Sequence, residues 1–560
     1  MADVVRERGG LARFVPVTTW LPGYRRNWLR ADLLAGLTVW ALVVPEAMAY
    51  AAIAGVPVQY GLYSVPLAVV AYLVFGTSRQ LVVGPSSSVA ALSASTVAPV
   101  VATGGSVADY VALTAVLTLL VGVLYVLLGL ARMGFVARFF AKPVLDGFIV
   151  GLGLYIVVGQ LPKLVGVEKF DGNTVRQLWH VIADVSEWEG ATVIVGLVSL
   201  GALAVIQRFL PRLPAALIVV AWAIVAAELF DLGAHGVALV GHVPTGFQFV
   251  PWSGFDLDQV VELVPGALAI VVVGFAESVA IAKSYAAEHH DRIDANQEMV
   301  AYGAANIGAG LLQGYTVSGS LSKSAAAQQA GARTPMIMAV LAGGVLLTIA
   351  LLAGLFETLP EATLAAVIIV AVVGMIDFRK LKRLWDARSM DFYLALGALL
   401  GVICIDILAG VVIGVVLSLV LLIHRLDHPH VAILGRNPEG TVYRDVNTNA
   451  GYEEVPGLLI YRFDASLVFT NADFFVDDLT ERALEAGQYQ RIILDFESIR
   501  EVDTTGLDAL LQVRDRLSAQ EIALDLAHVK SSVLAFFDQM QATDRFGTDH
   551  IFSTVRDAVA

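Results

Sequence analysis

Tyr315-Thr316-Val317-Ser318-Gly319-Ser320-Leu321-Ser322-Lys323-Ser324 interrupts a hydrophobic region with residues poor in apolar area. An apolar segment, Ile307 to Leu312, precedes it, and the small-residue run Ala325-Ala326-Ala327 follows. An earlier stretch has the same order: Val82-Val83-Gly84-Pro85-Ser86-Ser87-Ser88-Val89-Ala90-Ala91. Each runs from a β-like lead through a Gly/Pro/Ser break into a helix of small residues. The pattern predicts two membrane helices broken near mid-bilayer. Two such N-termini facing each other make an anion site, because unpaired N–H groups and the helix dipole favour negative charge.

The surrounding composition suits that reading. Of 560 residues, 57% are hydrophobic and 15% charged, with a mean hydropathy of +0.73, which excludes an ordinary soluble globular protein. The charge is uneven. Residues 431–560 hold 22 acidic and 11 basic residues, a net of −11, which leaves −3 of the total −14 for the rest. A membrane body therefore carries an acidic tail of ordinary domain size, and the acidic tail argues against nucleic-acid binding. The single cysteine, Cys404, excludes an intrachain disulfide and gives no reason to expect a metal. The charged N-terminus, with Arg6, Arg8 and Arg13, lacks a signal-peptide pattern.

Apolar segments recur at roughly 33–54, 58–76, 86–101, 110–131, 143–160, 191–208, 214–230, 260–282, 297–313, 318–331, 335–355, 361–377, 390–406 and 408–424. Several are shorter than the ~20 residues of a full span, the two Ser/Gly-led helices among them. Alternate crossings place Arg79, Arg132, Arg138, Lys142, Arg208, Arg212, Lys283, Arg292, Arg333, Arg379, Lys380, Lys382, Arg383 and Arg425 on the side of the N-terminus. The opposite loops are poor in Lys and Arg, apart from Lys163, Lys169 and Arg176. The positive-inside rule makes the basic side cytoplasmic. The broken helices are the third and tenth crossings, an odd interval of seven, so they run in opposite directions. Two seven-segment halves in an inverted repeat follow, with a site where they meet.

After Arg425, Pro429, Gly435, Asn437-Pro438 and Gly440 mark a linker. Strand-like runs (Leu458–Tyr461, Arg491–Phe496, Ile522–Leu526) then alternate with helical patterns (Asp473–Leu484, Thr505–Leu517, Ser531–Met540), predicting a small α/β domain. The expected division is a cytoplasmic segment 1–30, a transmembrane transport domain 31–426, a linker 427–455 and a soluble domain 456–560.

With these elements in place, the sequence resembles the SulP anion transporters, sulfate-permease-like proteins ending in a cytoplasmic STAS domain. The resemblance rests on Val43-Val44-Pro45-Glu46-Ala47-Met48-Ala49-Tyr50-Ala51, Gly84-Pro85-Ser86-Ser87, Gly331-Ala332-Arg333-Thr334-Pro335 and, in the tail, Val502-Asp503-Thr504-Thr505-Gly506-Leu507. It implies an α-helical membrane protein of about fourteen segments in the seven-plus-seven arrangement of uracil permeases. It also implies a homodimer, and sulfate, bicarbonate, chloride or dicarboxylates as cargo. The family usually has Arg where this chain has Lys323, so a point charge replaces a bidentate fork. Many relatives carry Gln where this chain has Glu46, and those with an acid at the position of Glu277 look cation-coupled.

The residues can be weighed on their own chemistry. Lys323, about a turn and a half into the second broken helix, can complement an anion held by the N–H groups of Ser320, Leu321 and Ser322. The alternative is a lysine reaching for the interface. Glu277 sits in the middle of the eighth span, where a lone carboxylate is costly and marks function; it could take a proton or hold sodium, or pair with Lys323. Glu46 must be protonated, paired with Lys323 or turned away from the anion, and desolvation beside an anion favours a neutral donor. Tyr50, on the same helical face, offers an aromatic wall or plain packing. Ser86, Ser87, Ser88, Ser318, Ser320 and Ser322 can cap helices, bond helix to helix or touch cargo; Ser87 and Ser322 are the two singled out. Thr504 and Thr505 read as a helix N-cap, and the histidine pairs 289/290 and 428/430 as solvated.

The expected function is import of a small anion, sulfate first, in symport with protons through alternating access, at the cytoplasmic membrane and without cofactor. Bicarbonate or a C4 dicarboxylate coupled to sodium or protons, an uncoupled exchanger or channel, and a membrane sensor signalling through its STAS domain remain alternatives. An enzyme is not expected, since no acid–base or nucleophile constellation stands out. A phosphate-cradling Gly-x-x-x-x-Gly-Lys loop is absent, which argues against direct ATP drive.

Overall fold

The computed structural model describes residues 14–560 except 102–104, 136–141, 169, 171, 211–212, 253–255, 388–389 and 486–488. Arg6, Arg8, Arg13, Arg138, Lys169 and Arg212, used above in the charge pattern, lie outside the described residues. The chain divides into Met1–Ser418 and Leu419–Ala560.

Each of the fourteen apolar segments contains a helix. Among the described residues nine helices are long and apolar enough to cross a membrane, and Ser87–Val97, Ala215–Leu229 and Met390–Cys404 are shorter apolar helices. Ala295–Leu311 and Leu321–Gln329 complete the set. In hydrocarbon every backbone N–H and C=O needs a protein partner, and the two interrupted spans satisfy each other. Strand β1 (Val82–Pro85) pairs antiparallel with β2 (Val317–Ser320), with Val82 opposite Ser320 and Pro85 opposite Val317. The outward edges of this ladder are met by side chains. Val82 N donates to Ser324 Oγ (2.8 Å), Gly319 N to Ser278 Oγ (2.8 Å) and Val317 N to Asn306 Oδ1 (2.9 Å).

The spans form two groups. Leu29–Ala54, Val58–Tyr63, Pro66–Phe75, Ser87–Val97, Val107–Leu130, Val264–His289, Ala295–Leu311, Leu321–Gln329 and Ile337–Leu347 pack mainly on one another. The helices Lys142–Val165, Gly190–Phe209, Glu361–Val373 and Met390–Cys404 form the second group. Small residues set the closest crossings within the first group. A Cβ on Gly303 would lie 2.7 Å from the Gly122 carbonyl, and one on Gly61 would run into the Ala47 carbonyl.

Two buried carboxylates tie loops to helix starts. Glu298 accepts from Thr77 N (2.7 Å), Thr77 Oγ1 (2.6 Å), Ser78 N (3.0 Å) and Tyr72 OH (2.7 Å). Asp32 accepts from Arg333 N (2.7 Å), Thr334 N (3.0 Å) and Thr334 Oγ1 (2.7 Å), which accounts for the Gly-Ala-Arg-Thr-Pro segment. Two amphipathic helices were not anticipated: Thr174–Ala183, with Val175, Trp179 and Ile182 exposed, and Phe378–Asp386, with Phe378 and Trp385 exposed. Both lie in stretches read as polar loops, and each is too short to stand out in hydropathy.

In the second unit a six-stranded sheet has the order β4 (Tyr443–Asp445), β3 (Val431–Arg436), β5 (Leu458–Phe463), β6 (Arg491–Asp495), β7 (Ala523–Ala527), β8 (Ile551–Phe552). Strands β5 to β8 are parallel, while β3 joins β5 and β4 antiparallel. Residues 427–455, read as a linker, thus carry β3 and β4. The Asn437-Pro438-Glu439-Gly440 cluster is the hairpin turn between them, with Gly440 at φ +70°. Helices Ala472–Glu485 and Thr504–Ser518 cover a core of Tyr461, Phe463, Phe475, Phe496 and Phe537. Asp503, rather than either threonine, caps the latter helix: its carboxylate accepts from Gly506 N (2.7 Å) and Phe469 N (2.8 Å).

Candidate functional site

A cavity of about 1440 Å³ lies between the two helix groups of the first unit. Glu46, Tyr50, Ser86, Ser87, Glu277, Ser320, Leu321, Ser322 and Lys323 all line it, so residues scattered over 280 positions of sequence meet in one space. Met375 and Val367 face them from the second group, and Lys142, Lys283 and Lys380 line the outer part. Those lysines are exposed whereas Lys323 is buried, so the cavity opens on the side predicted to carry the basic loops. Lys380 also meets Asp146 at 3.4 Å.

The deep end is organised around Lys323, the third residue of the Leu321–Gln329 helix. This is its first turn, earlier than the sequence suggests, because β2 extends to Ser320. Lys323 Nζ lies 2.8 Å from Glu46 Oε2, donates to the Pro85 carbonyl at 2.7 Å and reaches Ser320 Oγ at 3.4 Å. The ammonium also sits 5.5 Å from the Tyr50 ring centroid, a cation–π geometry. Tyr50 thus lines the cavity beside the ammonium. Glu46 is the carboxylate that meets the lysine. Its helix, Leu29–Ala54, contains Pro45, which lacks an N–H and leaves the i−4 carbonyl without that bond just before Glu46.

The two helix starts differ. Ser320 caps the second, accepting from Lys323 N at 3.5 Å, and its hydroxyl lies 3.2 Å from Ser322 Oγ. Ser86 stands at the N-cap of Ser87–Val97 but makes no side-chain cap bond. Its hydroxyl lies 2.9 Å from Ser88 Oγ, so the first-turn N–H groups of that helix are not capped by it. Ser88 is buried behind the wall and donates to Glu277 Oε2 at 2.8 Å. Ser87 donates to Met375 Sδ at 3.4 Å. Ser318 is buried in β2 and does not line the cavity.

Sequence reasoning missed the Pro85 carbonyl, Met375, Ser278 and Asn306. Asn306 grips β2 from both sides, accepting from Val317 N and donating to Val317 O at 3.0 Å. A polar amide within the apolar Gly-rich run 303–310 was a signal for it. Backbone carbonyls and packing partners leave none.

A model for the "Sulfate permease family" matches residues 29–398, and one for the STAS domain matches residues 449–558. The chain belongs to the sulfate permease family. It is 36% identical over 550 residues to a probable sulfate transporter of Mycobacterium tuberculosis (strain H37Rv), covering 96% of this chain and 97% of that protein. With high affinity sulfate transporter 2 of Stylosanthes hamata it shares 30% identity over 580 residues, covering 98% and 86%. Among solved structures, murine Solute Carrier 26 family member A9, an anion transporter in the inward-facing state, superposes with a TM-score of 0.89 at 22% identity, covering 100% of this chain and 96% of that one. The transmembrane domain of a cyanobacterial bicarbonate transporter superposes at 0.61 and 20% identity, covering 70% and 98%. These likenesses establish the fold: a multi-pass helical membrane protein of the sulfate permease family with a C-terminal STAS domain. Among the described residues no group of three or more His, Cys, Asp or Glu side chains is arranged to hold a metal.

Proposed function

We propose that this sulfate permease family member is a secondary transporter that imports sulfate with protons, and that it is not an enzyme. The observation that carries the reading is the buried Lys323 ammonium at the start of a broken helix, at the closed end of a cavity that also holds Glu277. A fixed cation beside helix N–H groups attracts a small oxyanion. The names of the relatives favour sulfate over bicarbonate or a dicarboxylate. Ser86, Ser87, Ser320, Leu321 and Ser322 surround the anion, and Tyr50 closes one side. Glu277, with one hydrogen bond from Ser88, carries the coupled proton. The helix group bearing Glu46, Glu277 and Lys323 moves against the other, exposing the cavity alternately to each face. The basic rim supports a cytoplasmic open side, with the N-terminus and the STAS domain in the cytoplasm, and the protein works as a homodimer.

Uptake of radiolabelled sulfate into proteoliposomes tests this. An inward proton gradient is expected to drive accumulation, and Glu277→Gln to weaken the gradient dependence while sulfate still raises the melting temperature. Accumulation equal with and without the gradient, or intact coupling in Glu277→Gln, would remove the proton role.

A further inference from the structure

An ammonium has three N–H bonds and no lone pair, and three oxygens lie close to that of Lys323. Two of these are fixed. The Pro85 carbonyl belongs to the β1–β2 ladder, and Ser320 is the cap of the lysine's own helix. The third, the Glu46 carboxylate at 2.8 Å, is on a side chain and bears the opposite charge. An anion that binds Lys323 must therefore take the place of Glu46. The other charged or titratable groups facing Glu46 offer no substitute cation. Tyr50 lies on its own helix under the lysine, Tyr315 donates from the adjoining segment to the Ala47 carbonyl at 3.2 Å, and Glu277 lines the same cavity with a further acid.

We propose that Glu46 is a second proton-binding site, which holds Lys323 as an internal counter-ion in the empty transporter and is protonated when the anion loads. The proposal rests on the anion-transport reading above and adds the number of protons to it. With both acids ionised, the empty site carries a net charge of −1. A divalent anion entering with protons on both Glu46 and Glu277 leaves that charge unchanged. With Glu277 alone protonated, the loaded site would carry −2 in a pocket where Lys323 is the one cation at the deep end, an arrangement that burial opposes. The proton enters from water in the open cavity onto a Glu46 carboxyl oxygen. Lys323 stays charged throughout, and its freed N–H turns from carboxylate to anion.

The test measures equilibrium accumulation of radiolabelled sulfate in proteoliposomes at zero membrane potential, across a series of pH gradients. Two coupled protons give about a 100-fold rise in the accumulation ratio per pH unit, and one proton gives about tenfold. Wild type is expected to show the steeper dependence, Glu46→Gln the shallower, and Glu46→Asp, which restores a titratable group, the steeper again. Calorimetry in buffers of different ionisation enthalpy provides a readout independent of transport: sulfate binding should take up one proton fewer in Glu46→Gln than in wild type. The same slope and the same proton uptake in wild type and Glu46→Gln would overturn the proposal while leaving sulfate transport intact. A wild type that neither binds nor accumulates sulfate would count against the cargo and against this site together.

Discussion

Two pairs of acids in the membrane unit are built in opposite ways. Asp32 and Glu298 stand in the first turns of their helices and are filled with donors, three on Asp32 and four on Glu298. Glu46 and Glu277 lie well inside long helices, face the cavity, and have one close partner each, Lys323 and Ser88. A carboxylate saturated by fixed N–H and O–H groups is held in its place, and it staples a loop. A carboxylate with a single partner and access to a cavity can exchange that partner. Acid residues in membrane spans are costly in either case; the number of donors around them is what differs between the two pairs.

The largest effect should come from breaking a saturated acid. Hydrogen bonds to a charged group contribute about 1.5–3 kcal/mol each, so Glu298→Ala, which strands four donors, is expected to prevent recovery of monodisperse protein in detergent. Glu277→Ala should purify normally. If size-exclusion profiles and melting temperatures of the two variants match, the distinction fails. Next in size is Lys323→Met. Removing one member of a buried pair costs about 2–5 kcal/mol, so sulfate affinity in a binding titration should fall about 30-fold or more, with Glu46 left unpaired. Retained affinity would place the anion elsewhere in the cavity.

A smaller effect carries the comparison into the STAS unit, where Asp464 is of the saturated kind. Burial opposes its ionisation, but hydrogen bonds from His430, Arg462 and Ser498 and the Arg462 charge hold its pKa below the ordinary aspartate value. A lowered folded-state pKa stabilises above the unfolded value near 3.8, and that stability is lost as pH falls through the folded one. Asp464→Asn in a 428–560 fragment should therefore cost about 1–2 kcal/mol at pH 7, a gap that closes below about pH 4. Denaturant titrations at the two pH values check this. An equal cost at both would mean that shape, not charge, makes the contact.

Much of this was legible in the sequence. Fourteen apolar segments, the strand–helix alternation of the tail and the two Gly/Pro/Ser breaks follow from local composition. So do the outlying Glu46, Glu277 and Lys323, because ionisable residues in hydrocarbon are conspicuous. The amphipathic helices and the 431–445 hairpin were lost for local reasons: short length in the first case, turn residues that serve linkers and hairpins alike in the second.

The sequence by itself settled which residues enter the bilayer, where two spans break, and which charges had to find partners there. It could not say which partners. That Lys323 meets Glu46 while Glu277 meets Ser88, that Pro85 offers its carbonyl, and that Asp32 and Glu298 are filled by turns about 300 and 220 residues away in the chain was decided by the tertiary structure. Composition fixes the cost of burying a charge. Only the arrangement of the other helices determines which donor or counter-charge comes within 3 Å of it.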